Sequence, residues 1–391
     1  MSIGRIINNG SPLFQSLRPR LVWIKPITCF RAFSQIRSRS EVDAIQKERL
    51  EKALRELVEF HKNNVKIGLV NRSKVIREAE EQAHREWNWL KDEIGLNTTK
   101  KLDAIKTEKI IRLTQRLLNN EPISYVLGNQ PFGPLLIKCA PPTLIPRPET
   151  EALVEHIFDQ LKDTFRQHLR QQNDEAKPLR ILDLCTGSGC ISLLIRHRLL
   201  ELISKETYTK FQNPAFQIVG VDIADSALQL SNENLALYNH GEDYGKLASQ
   251  YGNLVLISFE QVDMLNDTSI RTFIAQHGPF DAVLCNPPYI PAKEWKELDA
   301  SVRDWEDRLA LVGHPDNESD GLLFYRRLAD LVDRHNLSAS SVNQHFPLVA
   351  TEVGHDQAEK VRDIFTGQKK LSLLEIWTDP FGKQRAVIAK M

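Results

Sequence analysis

The sequence predicts an α/β protein: an open, mostly parallel sheet of seven strands covered on both faces by helices, preceded by a small helical bundle and a linking β-hairpin. Three observations carry that prediction. After Arg147 short apolar runs alternate with helical stretches. The glycine-rich turn Thr186-Gly187-Ser188-Gly189 follows the first of those runs. Before Pro122 the apolar residues recur at helical spacing. With 391 residues and 41% hydrophobic content, the chain can bury two sizeable cores.

The first forty residues differ from the rest. Seven Arg and Lys residues from Arg5 to Arg39 precede Glu41, the first acidic side chain, and serines accompany them. A basic, acid-free leader that interleaves Leu21, Val22, Trp23 and Ile24 has the composition of a mitochondrial transit peptide. Residues 1–40 are therefore set apart from the fold, and the matrix is the expected location. Residues 41–120 carry three amphipathic patterns, over Glu41–Asn63, Arg72–Glu93 and Thr107–Leu118. Pro122 ends the helical pattern, and residues 121–142, with Tyr125, Val126, Leu127, Phe132 and Leu135–Ile137, are expected to form the hairpin.

Residues 143–391 hold the strand candidates Arg180–Leu184, Gln217–Asp222, Leu254–Phe259, Asp281–Cys285, Phe346–Glu352, Leu371–Trp377 and Gln384–Ala389. The polar stretches Gln171–Lys177, Glu201–Asn213 and Asn239–Asn253 are expected to be loops or helix ends. Lys plus Arg and Asp plus Glu number 51 each, which removes the global positive field of a non-specific nucleic-acid binder. The five cysteines, Cys29, Cys139, Cys185, Cys190 and Cys285, contain no CxxC pair, and the eleven histidines form no HExxH. No metal site or disulfide framework is expected, and a reducing compartment fits. Apolar runs such as Leu179–Cys185 stop well short of the roughly eighteen residues of a membrane helix.

Residues suited to a nucleotide-like cofactor stand at successive strand ends. Gly187 and Gly189 let backbone approach a ligand, with Cys185, Thr186 and Ser188 in the same turn. Asp183, just before them, would repel a pyrophosphate but suits an ammonium and a sulfonium, so charge favours S-adenosylmethionine over a dinucleotide. Asp222, ending the second strand, can accept from both ribose hydroxyls. After the third strand Asp263 can accept from an adenine amino group, and Met264 can pack on the ring.

The fourth strand leads into Asn286-Pro287-Pro288-Tyr289. Its prolines stiffen the backbone and offer no competing N–H. A planar NH₂ group is a poor nucleophile, so its site must accept both N–H bonds and hold the nitrogen in line with the methyl carbon. The Asn286 oxygen and the Pro287 carbonyl suit that task, with Tyr289 stacked on the flat acceptor.

Together these residues resemble the HemK-type release-factor glutamine methyltransferases. The likeness covers Trp87 to Arg385 and rests on Pro122–Gly128 with Pro131-Phe132, on Leu144–Glu151, on Asp183–Gly189 and on Asn286–Ile290. Fainter echoes lie in Asp320-Gly321-Leu322, Glu352–Gln357 and Asp379–Arg385. The string Ile145-Pro-Arg-Pro-Glu-Thr-Glu151 is the specific one, since Asn-Pro-Pro-Tyr also occurs in DNA adenine and ribosomal-RNA methyltransferases.

The resemblance implies a Rossmann-like class I methyltransferase domain and S-adenosylmethionine as cofactor. It also implies Arg147 and Glu149 beside the acceptor pocket, and a helical domain that grips a mitochondrial class I peptide chain release factor, free or ribosome-bound, whose Gly-Gly-Gln glutamine is methylated at N5. No membrane or direct nucleic-acid contact is expected. Cys185 stands where a glycine is common, and Arg308 where proline or lysine is usual nearby. A nucleic-acid amino-methyltransferase is the first alternative and would need a basic groove. An inactive assembly factor is the second and would be expected to have lost Asp183, Gly187, Gly189, Asp222 or Asn286.

Overall fold

A computed structural model describes residues 39–64, 72–96, 104–171, 177–205, 213–241, 244–313, 320–337 and 348–390. The segment read as a transit peptide lies outside the described residues, apart from Arg39 and Ser40, which begin the first helix. Helices Arg39–Asn64, Arg72–Glu93 and Ala104–Leu118 pack around Leu57, Trp87, Leu90, Ile110 and Leu117. Each fully buried Leu or Ile contributes about 1.5–3 kcal/mol. A 2.8 Å hydrogen bond between His61 and Glu86 ties the first helix to the second.

The linker departs from the expectation. Tyr125, Val126 and Leu127 belong to a short helix, Ile123–Leu127, rather than to the hairpin. Pro122 at its start loses no needed N–H, and Gly128 ends it at φ 81°, where a Cβ would be strained. The hairpin proper is β1 (Asn129–Phe132) and β2 (Leu135–Lys138), with Phe132 opposite Leu135. Val126 buries into the helical bundle, whereas Phe132, Leu135 and Ile137 bury into the sheet domain. The linker is thus anchored on both sides.

The sheet contains β3 (Leu179–Leu184), β4 (Phe216–Asp222), β5 (Val255–Gln261), β6 (Ala282–Cys285), β7 (Leu348–Glu352), β8 (Ser372–Thr378) and β9 (Gln384–Lys390). Its order is β5-β4-β3-β6-β7-β9-β8. The first five in chain order run parallel, and β9 is antiparallel to both β7 and β8. One face carries helices Pro148–Arg170 and Cys190–Lys205, and the other carries Asp267–His277, Leu323–His335 and Ala358–Thr366. This is the Rossmann-like class I methyltransferase architecture. The stretch at 239–253, expected as a loop or helix end, holds the end of the helix Asp225–His240 and a separate short helix, Gly245–Tyr251.

Chain direction across the sheet reverses between β3 and β6, and ligands of open α/β sheets bind beyond the strand ends at such a point. The glycine-rich turn is seated there by close packing. A Cβ on Gly220, in mid-β4, would lie 2.6 Å from the Phe259 ring and 2.7 Å from Thr186 Oγ1. Neither the ring nor the turn can retreat without disturbing the other. Gly220→Ala should therefore destabilise the protein by about 1–3 kcal/mol in urea unfolding, in the range of core overpacking. Unchanged stability would show that the ring is free to move.

Candidate active site

At the carboxyl edge of β3, β4 and β6 a cleft encloses about 860 Å³ of empty space, part of it open to solvent. Its walls are largely apolar, with Leu184, Val221, Met264 and Phe324, and Asp222, Asp263 and Asn286 provide polar points. A smaller pocket continues under Ile145-Pro146-Arg147 and shares Leu144, Cys185, Gly187 and Asn286 with the cleft. Thr186 and Ser188 line this second pocket, whereas Gly189 lines neither. A Cβ at Gly189 would meet Phe259 at 2.9 Å, so this glycine serves protein packing. Gly187, at φ 55°, has nothing within 4 Å of where a Cβ would be, which leaves room for a ligand against its backbone.

Asp183 differs from its expected place at the cofactor. It is fully buried, and its Oδ2 accepts from Thr186 Oγ1 at 2.6 Å, Ser192 Oγ at 2.7 Å and Ser192 N–H at 3.2 Å. The carboxylate braces the turn from beneath instead of lining the cavity. Its Oδ1 is buried without a hydrogen-bond partner among the described residues, and burial pushes its pKa up to about 6.

Asp222 does line the cleft. Its carboxylate accepts from Gly187 N–H at 2.9 Å and Ala224 N–H at 3.0 Å, each oxygen retaining a lone pair, and burial raises its pKa. Asp263 folds back on Leu265 N–H at 2.8 Å, with Met264 buried beside it. Cys185 has φ 61°, a left-handed conformation that glycine adopts more readily than other residues. A hydrogen bond with Cys285, reinforced by burial, holds its thiol well above the ordinary range, so a reactive thiolate is disfavoured.

Asn286 borders both cavities, and its Nδ2 donates to Thr150 Oγ1 at 3.2 Å. Pro288 lines the cleft, while Pro287 is buried behind it. Tyr289 is not placed for the expected stacking. Its hydroxyl donates to Glu352 Oε1 at 3.3 Å, its carbonyl accepts from Gln357, and its ring packs close to Gly354. It lines neither cavity, because Glu352 draws the ring inward.

Arg147 donates to both Glu306 carboxylate oxygens at 2.7 Å, and Ile145 N–H reaches the same group at 3.4 Å. Nearby, Asp307 N–H donates to the Pro142 carbonyl at 2.7 Å and Tyr125 to the Thr143 carbonyl at 2.6 Å. The Pro142–Pro148 segment is thus clamped over the small pocket. Glu149 faces Arg385, 3.7 Å away, and does not reach either cavity. Sequence reasoning gave no role to Thr150, Glu352, Asp307 or Phe324, although Thr150 and Glu352 lie inside strings it had singled out.

The family described as N-6 DNA methylase matches residues 160–332. The protein described as "Probable MRF1 mitochondrial N(5)-glutamine methyltransferase" of Schizosaccharomyces pombe is 32% identical over 72% of this chain and 80% of its own length. A release factor glutamine methyltransferase of Thermodesulfovibrio yellowstonii is 30% identical over 76% of this chain and 86% of its own. This chain belongs to the release factor glutamine methyltransferase family.

As a member it is an S-adenosylmethionine-dependent methyltransferase. Among solved structures, the METTL16 MTase domain aligns over 83% of this chain and 98% of that one, at 14% identity and a TM-score of 0.36. The residues present fit the donor: an apolar trough, an acid on the second strand, and an open approach to the Gly187 backbone. Among the described residues no group of His, Cys, Asp and Glu could hold a metal ion, and no helix is long and apolar enough to cross a membrane.

The clamp makes an asymmetric prediction. Glu306 is almost completely buried, whereas Arg147 is 31% exposed. Arg147→Met strands a buried carboxylate and should cost about 3 kcal/mol, while Glu306→Gln leaves a solvated guanidinium and should cost about 1 kcal/mol. Paired urea melts read both; equal losses would mean that the pair contributes nothing through charge.

Proposed function

We propose that this enzyme methylates the side-chain amide nitrogen of the glutamine in the Gly-Gly-Gln loop of a mitochondrial class I peptide chain release factor. The observation that carries the reading is the Asn286 amide, whose Nδ2 is spent on Thr150 so that its Oδ1 is left to accept a hydrogen bond at the junction of the two cavities. An acceptor at that point suits a substrate that arrives with N–H donors. The Pro287 carbonyl, on a residue that lines neither cavity, receives no backbone hydrogen bond among the described residues and is proposed as the second acceptor. S-adenosylmethionine, when bound, supplies an electrophilic methyl on a sulfonium.

In this reading Asp222 holds the ribose, Asp263 and Met264 frame the adenine, and Gly187 gives its backbone to the donor. Asp183, Thr186, Ser188 and Cys185 shape the turn. The two acceptors hold the amide nitrogen in line, which is the main source of rate, because an uncharged nucleophile meeting a cationic methyl needs no general base before attack. Apolar walls do not oppose a reaction in which the sulfonium loses its charge.

A groove between the helical bundle and residues 296–306 opens beside Arg147, with about 2240 Å³ of empty space, part of it open to solvent. It is the place proposed for the release factor, so the units 41–120, 121–142 and 143–391 act together. The basic, acid-free leader and the mitochondrial relative support a matrix location. The N-6 DNA methylase match supports a second reading, methylation of a nucleobase amino group. That match does not include the Ile145–Glu151 string or the helical bundle, and the chain has no net charge.

Incubation with labelled S-adenosylmethionine and, in separate arms, a mitochondrial class I release factor, mitochondrial RNA and DNA decides between the readings. Label on the Gly-Gly-Gln peptide is expected, and label only on nucleic acid would overturn the proposal. Asn286→Ala should lower turnover on the order of 100-fold with little change in cofactor affinity. Asp222→Ala should weaken cofactor binding about 10- to 100-fold, as loss of a hydrogen bond to a charged group does. Calorimetry separates the two.

A further inference from the structure

Asn286 can present either end of its amide to an acceptor, and only one end is useful. Presented outward, Oδ1 accepts an N–H bond; presented outward, Nδ2 would face the substrate NH₂ donor to donor. The side chain alone does not choose between them. Two residues outside the Asn-Pro-Pro-Tyr loop do.

Thr150 sits in the first turn of the helix Pro148–Arg170 and is buried, with its hydroxyl donating to Glu352 Oε2 at 2.5 Å. That hydroxyl has one proton, and it is committed to a carboxylate, the stronger kind of acceptor. Toward Asn286, 3.2 Å away, Thr150 can therefore offer only a lone pair. Nδ2 must face Thr150, and Oδ1 must face away. When ionised, Glu352 is an acceptor at both oxygens, the other receiving the Tyr289 hydroxyl.

Strand register sets the pairing. Cys285 lies opposite Thr351 across β6 and β7, so the next residues, Asn286 just past β6 and Glu352 at the end of β7, follow side by side. Tyr325 further ties the Glu352 backbone through its carbonyl at 3.0 Å.

From this geometry we infer that Thr150 and Glu352 are positioning residues that fix the face of the Asn286 amide and thereby select acceptors carrying N–H donors. The inference rests on the proposed function and deepens it. Neither residue need touch the reacting atoms. Their effect is transmitted by a proton that has only one place to go.

The test uses the full chain, labelled S-adenosylmethionine and a class I release factor. Thr150→Val keeps the shape and removes the hydroxyl, so kcat should fall on the order of 10- to 100-fold while cofactor Kd stays within about twofold. Thr150→Ser keeps the hydroxyl and should restore kcat to within a few-fold of wild type. Should Thr150→Val fail to fold, Thr150→Ala removes the same hydroxyl without the added methyl and gives the same readout. Unchanged kcat in the hydroxyl-free variant, a fall that serine does not restore, or an equal loss of cofactor binding would overturn the inference. Failure of the wild-type protein to label the release factor would instead sink the proposed function, and that is read before any variant is compared.

Discussion

The pairing of Leu184 with Cys285 across β3 and β6 is the constraint on which the rest of the site depends. It puts the turn that begins at Cys185 and the loop that begins at Asn286 side by side at the point where the sheet reverses its order. Cofactor and acceptor elements come from segments about a hundred residues apart, and this one register brings them to a common edge. A one-step slip would send the alternate side chains outward and separate the two loops.

Around that edge the protein places three buried carboxylates, and each braces a loop from behind. Asp183 holds Thr186 and Ser192, Glu306 holds Arg147 and Ile145, and Glu352 holds Thr150 and Tyr289. Burying a carboxylate is costly, and burial raises the pKa of all three, Glu352 to about 7. Hydrogen bonds offset that cost only while the loops stay closed on them. The arrangement therefore trades stability for a fixed cavity, as expected where positioning is the main contribution to rate.

Much of the fold was legible because the central strands β3, β4, β6 and β7 are largely apolar runs buried on both faces. The expected Leu254–Phe259 differs from β5 by only one or two residues at each end. Gly245–Tyr251 was missed because it is only seven residues long and none of them is fully buried, although Leu247, Ala248 and Tyr251 pack against the core. Tyr125–Leu127 was misread because a five-residue helix is too short to show a period. The site was legible where chemistry follows a strand end, as at Asp222 and Asn286. It was not legible where the partner is remote: Thr150 and Glu352 meet across 202 positions, and only the fold brings them together. Asp183 and Tyr289 show the converse, since the residue type was right for a ligand but its neighbours turn it inward.

The central claim is geometric, so a crystal structure of the enzyme with S-adenosylhomocysteine and a glutamine-bearing Gly-Gly-Gln peptide tests it most directly. The account predicts the glutamine nitrogen within hydrogen-bond distance of both Asn286 Oδ1 and the Pro287 carbonyl, with Asn286 Nδ2 still on Thr150. A glutamine bound elsewhere, or an Asn286 amide turned to present its nitrogen, would contradict it.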